Sequence, residues 1–323
     1  MKRFLSIIIL VVFCMIFLTV SCTKRSTEKV RIAYIPFNAD LPFFVAVDKG
    51  FFKEENLEIE PIRFGDSSQA LNAMLAKQVD IVAGLTFSIF FAAEQEAPAK
   101  FKLFIPFAEV ESEIMSYLLV QKDSKISALP DLKGKRIGTY TGATQLLYLK
   151  LFLNKIGFNP DKDVTIIQVA SDLQVQALAA KQFDALFTVE PYGTIALEKG
   201  IAKTLLENPR YHYIASPFWS GALAVYTEFF NNHHKQFLKI YKALSKSLDY
   251  IDKNEIDSKK ILTKFAPMDE SIALKSGLYK WYKMDEPIDF GSIQQIADFM
   301  YDYKLLNKKV DAKAQFLTVD DLK

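Results

Sequence analysis

Two short stretches hold residue types from which a binding site could be built. Thr141-Gly142-Ala143-Thr144 sets two hydroxyls around a glycine at the start of an apolar helical run. Glycine lets backbone approach a bound group closely, and the first N–H groups of a helix have no partner within it. Such a loop suits a carboxylate, sulfonate or phosphate oxygen, although Thr141 could equally just cap the helix. Glu190-Pro191-Tyr192 follows the apolar run from Ala185 to Val189, which puts a carboxylate at a strand end. There it would accept hydrogen bonds from an amine or amino-heterocycle and repel a small anion, or else hold a backbone turn.

Catalysis has fewer candidates. The histidines are His212, His233 and His234. The last two sit beside Asn231 and Asn232 at a helix start, where capping and exposure account for them, and His212 falls between two tyrosines in an expected strand. No H-E-x-x-H, G-x-S-x-G or phosphate-loop pattern occurs. Both cysteines, Cys14 and Cys22, lie within the first 22 residues, so the body beyond them has no disulfide, thiolate metal site or cysteine nucleophile. The expectation is binding without catalysis, with no metal and no cofactor.

The elements that must position these loops alternate along the first two thirds of the chain. Val30 to Pro36 is a β-rich run stopped by proline, and Leu41 to Asp48 has helical spacing up to Gly50, which suits the left-handed residue that ends a helix. Leu57 to Phe64 alternates like a strand and ends at Gly65-Asp66-Ser67-Ser68, where Asp66 or Ser67 can cap the next helix. The strand from Asp80 to Ala83 follows, then a turn at Gly84. This alternation predicts an α/β sheet. The pattern then restarts about 105 residues later: Arg31-Ile32-Ala33-Tyr34 is answered by Arg136-Ile137-Gly138-Thr139, and Ala76-Lys77-Gln78-Val79-Asp80 by Ala180-Lys181-Gln182-Phe183-Asp184. Two lobes on one plan are expected. After Pro217 the pattern turns helical with no strand of its own, and this tail is expected to pack back on the first lobe. Lobe I then spans residues 30–117 plus 218–323 and lobe II residues 118–217, with crossing strands near Ser116 to Val120 and Ile214 to Val225 acting as a hinge.

The chain opens with Lys2 and Arg3, an apolar run from Phe4 to Leu18, and Thr19-Val20-Ser21-Cys22, the order of an export signal. A small residue before cysteine resembles the bacterial lipobox, although Leu18 stands four residues before Cys22 rather than three. Residues 1–22 are read as a lipoprotein signal peptide with Cys22 as the lipidated residue, and residues 23–29 as a tether. Without Lys2 and Arg3, the 40 basic residues become 38 against 38 acidic ones. A neutral body gives no field that favours nucleic acid.

Three stretches carry a family resemblance: Ala46-Val47-Asp48-Lys49-Gly50-Phe51-Phe52-Lys53-Glu54-Glu55-Asn56-Leu57, Asp131-Leu132-Lys133-Gly134-Lys135-Arg136-Ile137-Gly138, and Val189-Glu190-Pro191-Tyr192. They resemble the periplasmic solute-binding proteins of the nitrate, sulfonate, taurine and thiamine-precursor (pyrimidine) ABC transporters. The resemblance implies a type II periplasmic-binding-protein fold, an ATP-driven importer with its own permease and ATPase, and a ligand held in the interlobe cleft; the lipid-tethered body is expected to be a monomer. A fungal pyrimidine-forming enzyme of this group has a cysteine-rich iron motif, which this body lacks. A lipoprotein that senses its ligand rather than delivering it is the remaining alternative.

Ligands of α/β folds sit at strand carboxyl ends and domain interfaces. The expected site residues are therefore Phe37, Asn38 and Phe43; Asp66 and Ser67; Gly84, Thr86 and Phe87; Thr141, Gly142, Ala143 and Thr144; Glu190 and Tyr192; and Trp219. No lysine or arginine falls in these loops. That tilts the expectation toward an aromatic or amino-heterocyclic solute such as a thiamine-precursor pyrimidine, with a sulfonate, taurine or nitrate as the alternative.

Overall fold

The computed structural model describes residues 29–266 and 268–323; the expectations placed on Cys14, Cys22 and the leader lie outside the described residues. Eleven strands form two sheets among these residues. The strands are β1 (Val30–Tyr34), β2 (Ile59–Arg63), β3 (Ile81–Thr86), β4 (Phe101–Glu109), β5 (Ser116–Gln121), β6 (Arg136–Tyr140), β7 (Thr165–Val169), β8 (Ala185–Val189), β9 (Ala202–Glu207), β10 (Phe218–Tyr226) and β11 (Lys280–Trp281). The first sheet has the order β11-β4-β10-β3-β1-β2 and the second β7-β6-β8-β5-β9.

Without β11, both orders follow one scheme. A central strand (β1 or β6) pairs in parallel with the two strands that follow it, β2 and β3 or β7 and β8. An antiparallel strand then completes the scheme, in each sheet the first strand after a crossing: β5 pairs β8 and β9, and β10 pairs β3 and β4. The expected crossing strands therefore need correcting. Each of β5 and β10 lies wholly in one sheet, and residues 110–115 and 214–217 are the connections that cross.

The sequence repeat has a physical basis. Arg31 donates from its backbone N and Nε to Asp80 Oδ2 (2.9 and 3.1 Å) and from Nη1 to the Lys77 carbonyl (2.8 Å). Arg136 repeats the pattern with Asp184 Oδ2 (2.9 and 3.2 Å) and, through Nη2, the Lys181 carbonyl (3.0 Å). Lys77 and Lys181 both take the left-handed conformation, at φ 59° and 57°. Each arginine thus ties the start of a central strand to the helix-to-strand turn before its neighbour. These clamps occupy the strand ends opposite the loops that carry the expected site residues, so Arg136 serves the sheet and not the cleft.

Strand burial follows position. The inner strands β8 and β10 are buried throughout, whereas the edge strands β2 and β7 have no fully buried residue. Gly50 takes φ 76° between the helices Leu41–Asp48 and Phe51–Glu54, as its place in the sequence requires. In the tail, helix His234–Lys253 buries Phe237, Ile240, Leu244, Leu248 and Ile251 and packs on Leu41–Asp48, while the Tyr241 hydroxyl accepts from Met284 N at 2.9 Å. Two expectations change. The tail supplies one short strand, β11, on the edge beside β4. His212 lies in the short helix Pro209–Tyr213 and not in the expected strand.

The Arg136 guanidinium, bonded to Asp184, holds the Asp184 carboxyl below its ordinary range. Its stabilising effect is therefore present above the ordinary carboxylate pKa and is lost as pH falls through the lower folded value. Asp184→Asn is expected to lower the melting temperature by a few degrees near neutral pH, for a half-exposed pair worth up to about 1 kcal/mol. The difference from wild type should shrink progressively as pH falls below about 4, which a melting series across pH checks.

Candidate functional site

The carboxyl ends of β1, β3, β4, β6, β8 and β9 and the amino ends of β5, β10 and β11 gather where the two sheets face one another. Several contacts close this seam from both sides. Ser88 Oγ lies 2.5 Å from Thr144 Oγ1, and the Phe37 and Tyr192 rings stand 6.3 Å apart, edge to face. Asn154 Nδ2 donates to the Tyr303 hydroxyl at 2.5 Å. At the back, Arg210 of the second half forms an ion pair with Glu109 of the first, with side chains 5 % and 0 % exposed.

This pair is the electrostatic centre of the seam. Glu109 ends β4, and its Oε2 accepts from Ser116 Oγ, the first residue of β5, at 2.9 Å. Arg210 follows β9, and its guanidinium lies 5.0 Å from the Phe218 ring centre and 5.9 Å from that of Tyr148. Burial disfavours the Arg210 charge most strongly, but Glu109 together with Tyr279, Tyr140 and Tyr148 outweighs it and holds the arginine pKa above its ordinary value. Burial also pushes the Glu109 carboxyl up while Arg210 and Ser116 pull it back. An arginine does not release its proton in a protein, so a neutral Glu109 would strand a buried cation; the pair is ionised. Three tyrosines complete the wall. Burial raises the Tyr140 hydroxyl to about 12 and also raises Tyr148 and Tyr279, so all three stay neutral donors and acceptors.

The expected site residues divide into three groups. Phe37, Thr144 and Tyr192 make the cross-seam contacts already described, and Thr86 lies beside them, accepting a long 3.5 Å hydrogen bond from Ser88 Oγ. Asn38 is buried at the same seam, with Nδ2 donating to the Gly277 carbonyl at 2.9 Å and Oδ1 unpartnered.

A second group is committed to local structure. Thr141 precedes the helix start without capping it; its Oγ1 donates to the Val169 carbonyl at 3.2 Å, and Gly142 N donates to Gln168 Oε1 at 3.2 Å. Gly142 precedes the helix Ala143–Lys155 at φ 147°, and Ala143 is exposed. Asp66 caps the helix Ser67–Leu75 by accepting from Gln69 N at 2.9 Å. Gly84 is where residues 39–40 cross β3: an added Cβ would lie 1.9 Å from Asp40 Oδ1, and that carboxylate holds Ile35 N at 2.6 Å.

In the third group, burial rather than position corrects the expectation. Phe43 packs among Tyr34, Phe44 and Phe52, and Phe87 stacks on Phe91 and Phe316, both in the core of the first half. Trp219 is 1 % exposed with its ring 4.7 Å from Tyr282, and its Nε1 has no hydrogen-bond partner. Glu190 is the most consequential correction. Its Oε1 accepts from the Tyr117 hydroxyl and Thr194 Oγ1, both at 2.7 Å, and from Gly277 N at 3.4 Å, while Oε2 accepts from Thr194 N at 3.3 Å. The Glu190–Pro191 peptide is cis. A carboxylate so fully engaged holds a turn and ties it to the C-terminal segment, leaving little for a solute.

Sequence reasoning missed Ser88, Glu109, Tyr140, Tyr148, Arg210 and Tyr279. Arg210 had a signal: Asn208-Pro209-Arg210 follows the run Ala202–Glu207 much as Glu190-Pro191 follows Ala185–Val189. Among the described residues no cluster of three or more metal-ligating side chains occurs, and no helix is long and apolar enough to cross a membrane. A surface hollow of about 510 Å³ lies between the helices Gln174–Ala179 and Tyr192–Glu198. Its walls come from the second half alone, so it lacks the two-sided chemistry of the seam.

Gly84→Ala is expected to lower stability by about 1–3 kcal/mol through overpacking against Asp40. Glu190→Gln is expected to cost about 1–3 kcal/mol, because an amide donor faces the Tyr117 and Thr194 donors. Denaturant melts of both variants check these values.

Residues 39–255 match the family model described as NMT1/THI5 like, and the chain belongs to that family. A putative aliphatic sulfonates-binding protein of Bacillus subtilis is 22 % identical over 97 % of this chain and 94 % of its own. A putative thiamine biosynthesis protein of Haemophilus influenzae is 29 % identical over about half of each chain, 49 % and 50 %. Among solved structures, the periplasmic aliphatic sulphonate binding protein SsuA of Escherichia coli superposes with a TM-score of 0.73 at 18 % identity, covering 90 % of this chain and 98 % of that one. That likeness gives the fold: the two-sheet architecture is that of a periplasmic binding protein.

Proposed function

We propose that this member of the NMT1/THI5-like family is the solute-binding component of an ABC importer, which captures a small organic solute at the seam between its two halves and presents it to a permease and ATPase. The observation that carries this reading is the seam itself. Strand ends of both sheets bring Phe37, Ser88, Glu109 and Tyr279 from one side against Tyr192, Thr144, Arg210, Tyr140 and Tyr148 from the other. Two connections alone, residues 110–115 and 214–217, run between the sheet-bearing parts, an arrangement suited to opening and closing around a solute. The tail follows the closing parts: Lys275 of helix Glu270–Lys275 pairs with Glu198, so the tail touches both halves.

The preferred solute is a flat heterocycle, with a thiamine-precursor pyrimidine as the example. Aromatic side chains line both sides, neutral tyrosine hydroxyls supply donors and acceptors, and the one buried cation described here is already paired. An aliphatic sulfonate, taurine or nitrate is the second reading, favoured by Arg210 and by the relative named for sulfonates. The body is read as an exported monomer, held at the cell envelope through lipid on Cys22. Binding without chemistry is the third part of the reading, since no cysteine or histidine stands among the seam residues named here.

Thermal shift against aminopyrimidines, thiamine, taurine, alkanesulfonates and nitrate tests the reading. A cognate solute at about a hundred times its dissociation constant adds about 2.7 kcal/mol and should raise the melting temperature by a few degrees. Tyr192→Ala should reduce the shift at least tenfold in solute concentration while the protein remains folded. A solute whose shift is unaffected by both Tyr192→Ala and Phe37→Ala would place binding away from the seam.

A further inference from the structure

The Arg210–Glu109 pair differs from the other ion pairs of the described residues. Each of those keeps one side chain at least 36 % exposed, whereas this pair is 5 % and 0 % exposed. It also joins the two halves, and its guanidinium lies beside the Phe218 and Tyr148 rings that line the seam. Arg210 Nε is buried with no hydrogen-bond partner, so one donor of this cation is left unused. Buried cations of this kind recognise carboxylates and sulfonates through paired N–H donors. Glu109 already occupies that role from within the chain, and Ser116 fixes it there.

We propose that Glu109 is a specificity-determining residue: it acts as a built-in anion that answers Arg210, so that the seam favours solutes without net charge and rejects simple anions. The inference rests on the seam being the binding site and decides between the two solute classes offered for it. An incoming sulfonate must either displace Glu109, leaving a buried carboxylate with Ser116 as its remaining partner, or sit beside it and meet like charge at short range. Both routes are unfavourable where the effective dielectric is low. A neutral heterocycle meets neither obstacle and can use the tyrosine hydroxyls and the unpartnered Arg210 Nε. The charge already present in the seam would thus turn an anion-binding arrangement into one for neutral solutes.

The test uses the full protein and four forms: wild type, Glu109→Gln, Arg210→Gln and the double variant, in which two neutral amides replace the pair and no lone charge is buried. Ethanesulfonate and 4-aminopyrimidine, at a pH where the latter is neutral, serve as probes in titration calorimetry, with circular dichroism reporting folding. Wild type is expected to bind ethanesulfonate at least tenfold more weakly than Glu109→Gln, and the double variant should lose what Glu109→Gln gains. Equal sulfonate affinity in wild type and Glu109→Gln would overturn the proposal, as would a gain that persists in the double variant. If Glu109→Gln does not fold, the double variant decides alone: it should bind ethanesulfonate no better than wild type, and a tenfold gain would overturn the proposal. Failure of the seam reading looks different, because every affinity would then survive Phe37→Ala and Tyr192→Ala.

Discussion

Arg210 and Glu109 meet where the two chain crossings run together. Glu109 is the last residue of β4 before one crossing, and Arg210 lies four residues before the other, which begins at 214. Taking both charges out of water costs several kcal/mol per ion, and the loss is recovered only if each finds its partner and the remaining polar atoms are satisfied. Ser116 Oγ on Glu109 and the Phe218 and Tyr148 rings around the guanidinium meet part of that demand. The demand fixes how the halves stand: β4, β5, β10 and the short helix Pro209–Tyr213 must hold their places together or a charge is buried alone. The nearby loop bears on the same point, with Gly277 linked to both Asn38 and Glu190 and Leu278 N donating to Glu113 Oε2 at 3.0 Å.

Around that point the molecule uses one structural scheme twice. Each sheet has a central parallel strand, two parallel neighbours and an antiparallel strand that directly follows a crossing, and each is clamped at its far end by an arginine that reaches an aspartate and a left-handed turn. With each rigid end clamped in this way, the other strand ends carry the variable loops. The separation is physically sensible: buried parallel strands supply stiffness at one end, and the loops of the facing ends supply chemistry. The tail then packs on the first half through helix His234–Lys253 and adds β11 to the sheet edge, while Lys275 and Tyr303 reach the second half.

The chemistry of the seam comes mainly from neutral groups. Tyr140, Tyr148 and Tyr279 are held protonated by burial, Ser88 and Thr144 share a hydrogen bond, and the one buried cation is answered by a buried anion. Glu190 has the residue type and strand-end position of a reader for amines. Three hydrogen bonds from hydroxyl and backbone donors of Tyr117, Thr194 and Gly277 bind it to the protein instead, with a fourth from the Thr194 backbone. The contrast between Glu190 and Glu109 shows how far a carboxylate's role depends on what donors surround it, and sequence position does not reveal that.

The sequence by itself determined the α/β class, the doubled plan and the local turns. These rest on short-range physics: Gly50 at φ 76°, Asp66 capping its helix, and the Lys77 and Lys181 turns are set by residues within a few positions. The two clamps were visible because identical residue types recur at matching spacing. Tertiary structure alone decided which strand-end groups face the seam and which serve the core. Phe43 and Phe87 carry the same side chain as Phe37, yet two are packed under the first sheet's helices and one meets Tyr192. Arg210 and Glu109 are 101 positions apart, so their pairing depends on how β4, β9 and the crossings are arranged in space, and no local pattern encodes that distance. Burial and long-range charge pairing are properties of the assembled seam, which is why the solute-facing residues were only partly legible before the fold was known.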